Sequence, residues 1–394
     1  MRVLCFFLLT LSFATPALAL PWMVKHNYGS CVACHVDPSG AGQLTEYGRA
    51  QADILLRWRP TPRKETDEIP KSANFLWSTE LPPAVNLSGN LRGGALLRRP
   101  SGTQSIAPVL MAADLYGTVN ANRFVFHASA GFGLRSYVAP AIVAPHCKPS
   151  SGQPQCGPSF IAREFWAGAK FADFADENAV MVRAGRMHVP FGLRNNEHFT
   201  FVRDMTQTDI NTGQQVGASA LYNSELFRGE LMALLGNYQI APDIYRERGY
   251  SLYGEYALRP NAYVGVSSLM TYATRPLVRH AHGVFARVAP IKSLALLFEG
   301  DVLAWHQTDM TPRVGFATML QGDWEPLQGI HIMATVEAAR TRQAELNLGY
   351  WVTAAWYALP HVELRLDNIL RHSPTINAAS TLNYTLLLQL HTFL

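Results

Sequence analysis

Cys31-Val32-Ala33-Cys34-His35 is the run whose residue types and spacing dictate a chemistry. Two thiols separated by two residues reach one porphyrin edge as thioethers while the adjacent imidazole turns toward the metal. In an exported chain the run therefore reads as the attachment site of a c-type haem, with Cys31 and Cys34 covalent and His35 the proximal iron ligand. A redox disulfide or half a zinc site are the alternatives for the same residues. The motif occurs once, so a single haem c is expected.

The iron's second axial position is the next question. From Val36 to Pro83 there is neither Met nor His, so a sixth ligand comes from upstream, from the following barrel, or is absent. Upstream, Met23 and His26 are the soft and imidazole candidates. His26 lies five residues before Cys31, and a chain that short still reaches ~17 Å when extended. A surface His26 with no ligand role is the competing reading.

The elements that must position this motif follow from the flanking sequence. Met1-Arg2, an apolar core from Val3 to Ala14 and Ala17-Leu18-Ala19 read as an export signal over residues 1–19, with a membrane anchor as the alternative. Residues 20–83 form a small segment rich in Gly, Pro and charge, too short to build a large core without a cofactor. Its helical stretch runs from Leu44 to Trp58, where Leu44, Tyr47, Ile54, Leu55 and Trp58 are expected to cover a haem edge. Arg59 to Glu65 reads as a stiff polar connector.

From residue 84 to 394 the pattern changes to segments of about ten residues with period-two alternation, separated by turn residues. They predict an all-β fold, a transmembrane outer-membrane β-barrel of about sixteen strands, centred on 85–98, 109–120, 123–138, 160–171, 178–187, 216–223, 226–237, 249–258, 262–273, 280–289, 293–305, 313–325, 329–340, 347–358, 361–371 and 381–394. Short connections alternate with long ones, which puts the short turns and the haem segment at the periplasmic mouth and the loops 139–159, 188–215 and 238–248 outside. The last strand places Tyr384, Leu386, Leu388, Leu390 and Leu394 on one face, as in the carboxy-terminal insertion signal of outer-membrane proteins, but with Phe393 one residue early. A soluble β-sandwich or propeller is the alternative. Apolar content of 48% with only 16% charged residues suits a wall facing lipid, and a net charge of +4 without a Lys/Arg run excludes a nucleic-acid face.

Other residues could take part in chemistry. Strand parity turns His127, His331, His361 and His391 toward the lumen, for hydrogen bonding or iron ligation. Arg186, Arg194 and Arg203, in the segment from Gly185 to Asp204, either form a positive constriction or brace the wall by pairing with Glu197, Asp204 and lumenal acids. His188 and His198 could hold a metal ion at the outer mouth. Cys147 and Cys156 read as a disulfide closing an extracellular loop, with metal or redox use as the alternative.

A haem motif after an export signal, followed by one barrel of about sixteen strands, resembles the fused monohaem cytochrome-porin proteins of the bacterial outer membrane, best known from iron-oxidising bacteria. The organisation covers the whole mature chain, and Cys31, Cys34 and His35 carry over as the covalent and proximal positions. Members that oxidise iron carry a Phe-Ala-Arg-Gln-Thr-type stretch before the first Cys, where this chain has Val24-Lys25-His26-Asn27-Tyr28-Gly29-Ser30, a departure that bears on the substrate rather than the architecture. The resemblance implies electron transfer between an extracellular donor or acceptor, such as Fe(II), and periplasmic c-type cytochromes, and so an outer-membrane iron oxidase. The alternative is an anion-selective porin whose cytochrome segment plugs or gates the pore.

Overall fold

The computed structural model describes residues 20–40, 42–60, 71, 74–100, 105–133, 147–148, 155–156, 159–172, 178–195, 197, 200–210, 213–236, 247–273, 277–307, 311–341, 346–375 and 378–394. The expected export signal, the connector after Pro60, His198 and most of the loops 139–159 and 238–248 lie outside the described residues.

The strands are β1 (Val85–Pro100), β2 (Ser105–Ala121), β3 (Phe124–Gly133), β4 (Cys147–Lys148), β5 (Gln155–Cys156), β6 (Ser159–Ile161), β7 (Phe165–Lys170), β8 (Asn178–Met187), β9 (Gln215–Ser224), β10 (Phe227–Gly236), β11 (Arg248–Arg259), β12 (Ala262–Tyr272), β13 (Leu277–Ile291), β14 (Leu294–Gln307), β15 (Arg313–Leu327), β16 (Ile330–Thr341), β17 (Asn347–Leu359), β18 (Val362–Thr375) and β19 (Ala378–Phe393). All but β4 and β5 belong to one antiparallel sheet that closes where β1 pairs with β19, from Asn90 opposite Phe393 to Pro100 opposite Asn383. Because β6 and β7 both pair with β3, they are two pieces of one stave, and the barrel has sixteen staves. The sixteen expected strands are all present. The strand expected over 160–171 is interrupted at Ala162–Glu164, and Glu164, in phase with buried Trp166 of β7, has its carboxylate inward.

Closure gives every strand two hydrogen-bonded neighbours and leaves no edge, which a wall in hydrocarbon requires. Parity then sorts the side chains. On β14, Leu297, Glu299, Asp301 and Leu303 are buried in the lumen while Leu296, Phe298 and Val302 are exposed on the outer face. On β15, Phe316, Leu320 and Trp324 continue that apolar belt. Buried lumenal charges are paired, Arg203 of the loop after β8 with Glu299 and, across strands, Arg228 with Glu255, Arg287 with Glu255 at 2.8 Å, and Arg183 with Glu230 at 2.8 Å. Removing one member of such a pair strands a charge in a dry interior, which costs far more than the pair itself contributes.

The tight turns at Asn122, Gly329 and His361, all with left-handed backbones, sit at the barrel end where β1 begins and β19 finishes. Two segments fill the lumen. At the short-turn end lies the amino-terminal segment, opening with a 3-10 turn over Pro21–His26 that stops at left-handed Asn27 (φ 61°). A short helix, Glu46–Gln51, follows, capped by Thr45 Oγ1, which accepts from the Gly48 N–H at 3.1 Å, and continues as a wider π-type turn over Ala52–Leu56. This segment is tied to strands around the circumference. Lys25 pairs with Asp323 at 2.7 Å, Ser30 donates to Asn223 at 3.0 Å, Gln43 Nε2 donates to the Asn86 carbonyl at 2.8 Å, and the Trp58 N–H donates to the Tyr357 carbonyl at 2.8 Å. The second insert is the stretch from His188 to Gln214, which folds inward as one of its two sequence readings required. Its helix Phe201–Thr206 buries Val202, and the Leu193 and Phe201 N–H groups donate to Glu299 at 2.9 Å and Glu337 at 2.7 Å.

Candidate cofactor site at the barrel mouth

The Cys31–His35 run forms a closed turn. The His35 and Cys34 N–H groups both donate to the Cys31 carbonyl, at 3.0 and 3.3 Å. Thr45 fastens the next helix to this turn, its N–H donating to the Cys34 carbonyl at 2.7 Å and its hydroxyl to the Ala33 carbonyl at 2.8 Å. Gly48 then passes so close to Cys34 that a Cβ there would lie 2.8 Å from the Cys34 sulfur. A glycine inside a helix costs about 1 kcal/mol against alanine, and here close approach supplies the reason for it.

Beside this turn is a cavity enclosing about 1070 Å³ of empty space, counting the part open to solvent. Cys34 and His35 border it, with Met23 above them in the same segment and Arg92, Tyr116 and His391 on the barrel wall. Burial, and after it the neighbouring Cys31, push the Cys34 thiol well above the usual range. Cys31 faces away, accepting from Arg228 Nη1 at 3.1 Å and bordering a smaller neighbouring cavity with Glu255 and Arg287.

The candidates named from sequence separate here. Met23 borders the large cavity. His26 lies outside its lining, with Nε2 at 3.2 Å from Glu325 Oε2. Of the four lumenal histidines only His391 lines it, its ring held by Glu363 at 3.0 Å and Asn90 at 3.1 Å. His331 is 3.1 Å from Asp323, and His127 lies 2.9 Å from the Thr118 hydroxyl and 3.2 Å from Glu164. His361 sits in the turn between β17 and β18 with its ring edge-on to Phe393.

The face of the short helix is a correction. The cavity is lined by Leu44, Gly48, Gln51, Ala52 and Leu56, whereas Tyr47 and Trp58 are exposed. The π-type turn adds a residue per turn after Gln51 and shifts the apolar phase, which a regular helical spacing cannot anticipate.

The arginines of the inward loop brace the wall. Arg203 pairs with Glu299, and Arg194 donates to the Ser39 carbonyl at 2.9 Å and stands 4.0 Å from Glu230, while Glu197 is taken by Arg365 at 2.6 Å. Pairing with lumenal acids was one of the two sequence readings; which acids could not be read, since Glu299 and Glu230 lie on distant strands. His188 is deep in the lumen, 2.8 Å from Glu164, and not at an outer mouth. Asp37, buried two residues beyond His35, carries no sequence signal; Arg183 holds its carboxyl below the usual range against the opposing effect of burial. The backbone sets Cys147 directly across from Cys156 in the β4–β5 ladder.

No protein-family profile matches the sequence, and no curated protein gives a significant match. Solved structures do resemble it. OmpT of Vibrio cholerae lacking loop L8 superposes with a TM-score of 0.55 at 10% identity, covering 79% of this chain and 99% of that one. The outer-membrane channel DcaP of Acinetobacter baumannii gives 0.55 at 9%, covering 79% and 97%. The anion-selective porin from Comamonas acidovorans gives 0.54 at 10%, covering 79% and 99%. At such identities the likeness establishes the fold, that of outer-membrane porin barrels.

Proposed function

We propose that the chain is an outer-membrane electron-transfer protein, a plugged barrel holding one covalent haem c at its periplasmic mouth. The observation that carries this reading is that Cys34 and His35 border a cavity built jointly by the amino-terminal segment and the barrel wall. The donor set is that of a c-type haem: Cys31 and Cys34 for the thioethers, His35 for the iron, and Met23 or His391 on the same cavity for the remaining position. Anchoring through both sulfurs requires the Cys31 side chain to turn from Arg228. When bound, the haem supplies one-electron chemistry at a potential set by its burial and its surroundings. The chain's own residues hold it: Gly48 allows the close approach, Lys25 and Trp58 fix the segment to the wall, and the inward loop restricts water from the long-loop side. One centre cannot span a hydrocarbon layer of roughly 30 Å. Either a small donor such as Fe(II) enters the lumen or a second protein comes close to the haem, and a periplasmic cytochrome meets the mouth.

The second reading is an anion-selective porin with the segment as plug or gate, favoured by the likeness to the Comamonas acidovorans porin. Against it, Arg183, Arg203, Arg228 and Arg287 are engaged by carboxylates, and two inserts occupy the lumen. The deciding experiment is a haem stain and pyridine haemochrome spectrum of the outer-membrane fraction. A barrel-sized band with covalent haem is expected. A folded barrel without it, conducting anions in planar bilayers, would leave the porin reading standing.

A further inference from the structure

We infer that Asp37, Glu164 and His188, with His127 beside them, form a binding site for one divalent first-row transition-metal ion at the junction between the amino-terminal segment and the barrel wall. One ligand atom from each of Asp37, Glu164 and His188 lies within 4.8 Å of the other two, and all three residues are buried. Metal–oxygen and metal–nitrogen bonds of about 2.0–2.2 Å need such atoms somewhat closer, so binding draws the three together by small side-chain movements. His127 reaches the same carboxylate from the other side, its Nε2 standing 3.2 Å from Glu164 Oε2.

Two further features point to a ligand. Asp37 is fully buried and its Oδ1 is engaged, accepting from the Ser39 N–H at 2.7 Å and facing Arg183 at 2.8 Å, yet Oδ2 has no hydrogen-bond partner. An orphaned carboxylate oxygen in a dry interior is costly unless a cation takes it. His127, moreover, has the outer-shell partner that metal ligands use. His127 Nδ1 is 2.9 Å from the Thr118 hydroxyl, and His188 Nδ1 faces the Gln214 side-chain amide at 3.5 Å. Gly42, with φ +66°, keeps the approach open, since a Cβ there would lie 2.6 Å from Glu164 Oε1.

Two carboxylates and two imidazoles suit Zn(II), Fe(II) or Mn(II) rather than Cu(I), which prefers sulfur, or Ca(II), which prefers oxygen alone. Asp37 comes from the amino-terminal segment, Glu164 and His127 from the wall and His188 from the start of the inward insert, so the ion fastens the three together. The inference does not depend on a haem being bound.

The test uses the full-length protein refolded in detergent micelles and stripped of metal, titrated with Zn(II) and with Co(II) as a spectroscopic probe. One equivalent is expected, with Co(II) ligand-field bands of a nitrogen–oxygen site. His188→Ala and Glu164→Gln should weaken binding on the order of 100-fold, while His306→Ala, at an exposed site on β14, should not. Heat-modifiable migration on gels confirms that each variant is folded. If a variant misfolds, the wild-type Co(II) spectrum decides. A thiolate charge-transfer band would place the ion on Cys31 and Cys34 and overturn the assignment, as would no binding by folded protein or unchanged affinity in both variants.

Discussion

The wall and the amino-terminal segment obey different rules. In the wall, parity decides what a residue does: Leu320 and Glu299 stand on adjacent strands, one in the outer apolar belt and the other buried in the lumen against Arg203. In the segment no such period exists, and its position comes from individual bonds to strands on all sides, such as Lys25 with Asp323 and Ser30 with Asn223. The wall has closed hydrogen-bond ladders of its own, whereas the segment's longest helical stretch is a helix of six residues followed by a π-type turn of five. A helix that short is marginal alone. The wall should therefore fold without the segment, and the segment should not fold without the wall.

The sharpest way to break that comparison is Cys34→Ala. Covalent haem should be lost almost completely in the haemochrome assay, yet the protein should still reach the outer membrane and show heat-modifiable migration. A variant that never inserts would mean that the cofactor segment is part of the barrel's own folding.

Next in size is Glu299→Ala. Glu299 accepts from Arg203 and from the Leu193 N–H at 2.9 Å, so it joins the wall to the inward loop. Its removal leaves a buried guanidinium unpaired, which costs roughly 3–5 kcal/mol, read as a lower urea midpoint of unfolding in lipid vesicles. Glu299→Gln, which keeps the acceptor, should recover part of the loss. On the opposite face, Leu320→Arg puts a cation near the middle of the apolar belt and should cost roughly 2–4 kcal/mol in the same assay. An effect near zero would mean that this face does not meet hydrocarbon.

The same contrast explains what could be read without coordinates. Alternation placed every stave, and it turned His127 and His331 inward correctly, because a period of two is local to each strand. The partners were not readable. Arg203 and Glu299 are 96 residues apart, and their meeting depends on the path of the loop across the lumen. Arg365 and Glu197, 168 residues apart, pose the same problem. In the segment, the haem proposed at Cys31, Cys34 and His35 rests on their spacing alone, while the metal site proposed for Asp37 needs Glu164 and His188, far away along the chain. Glu164 has no such signature, and its neighbours His127 and His188, each legible alone, come from separate stretches of chain that no spacing brings together.

The smallest expected effect concerns the residue on which sequence and coordinates differ most in emphasis. His26 is close enough along the chain to fold over a haem at Cys31, but its ring is engaged with Glu325 at 3.2 Å and is partly open to solvent. Such a half-exposed pair contributes about 0.2–1 kcal/mol, and the adjacent Lys25, fully buried and bonded to Asp323 at 2.7 Å and Glu325 at 2.9 Å, keeps the segment anchored without it. His26→Ala should thus lower stability by no more than about 1 kcal/mol and leave the haem absorption spectrum and spin state as in the parent. Met23→Ala and His391→Ala, which alter the lining of the large cavity, are the substitutions expected to shift that spectrum. If His26→Ala instead converts the iron to a five-coordinate spectrum, the bond to Glu325 must open when haem is attached. The segment would then rearrange within a wall that does not, and the difference between the two regions would extend from how they fold to how they move.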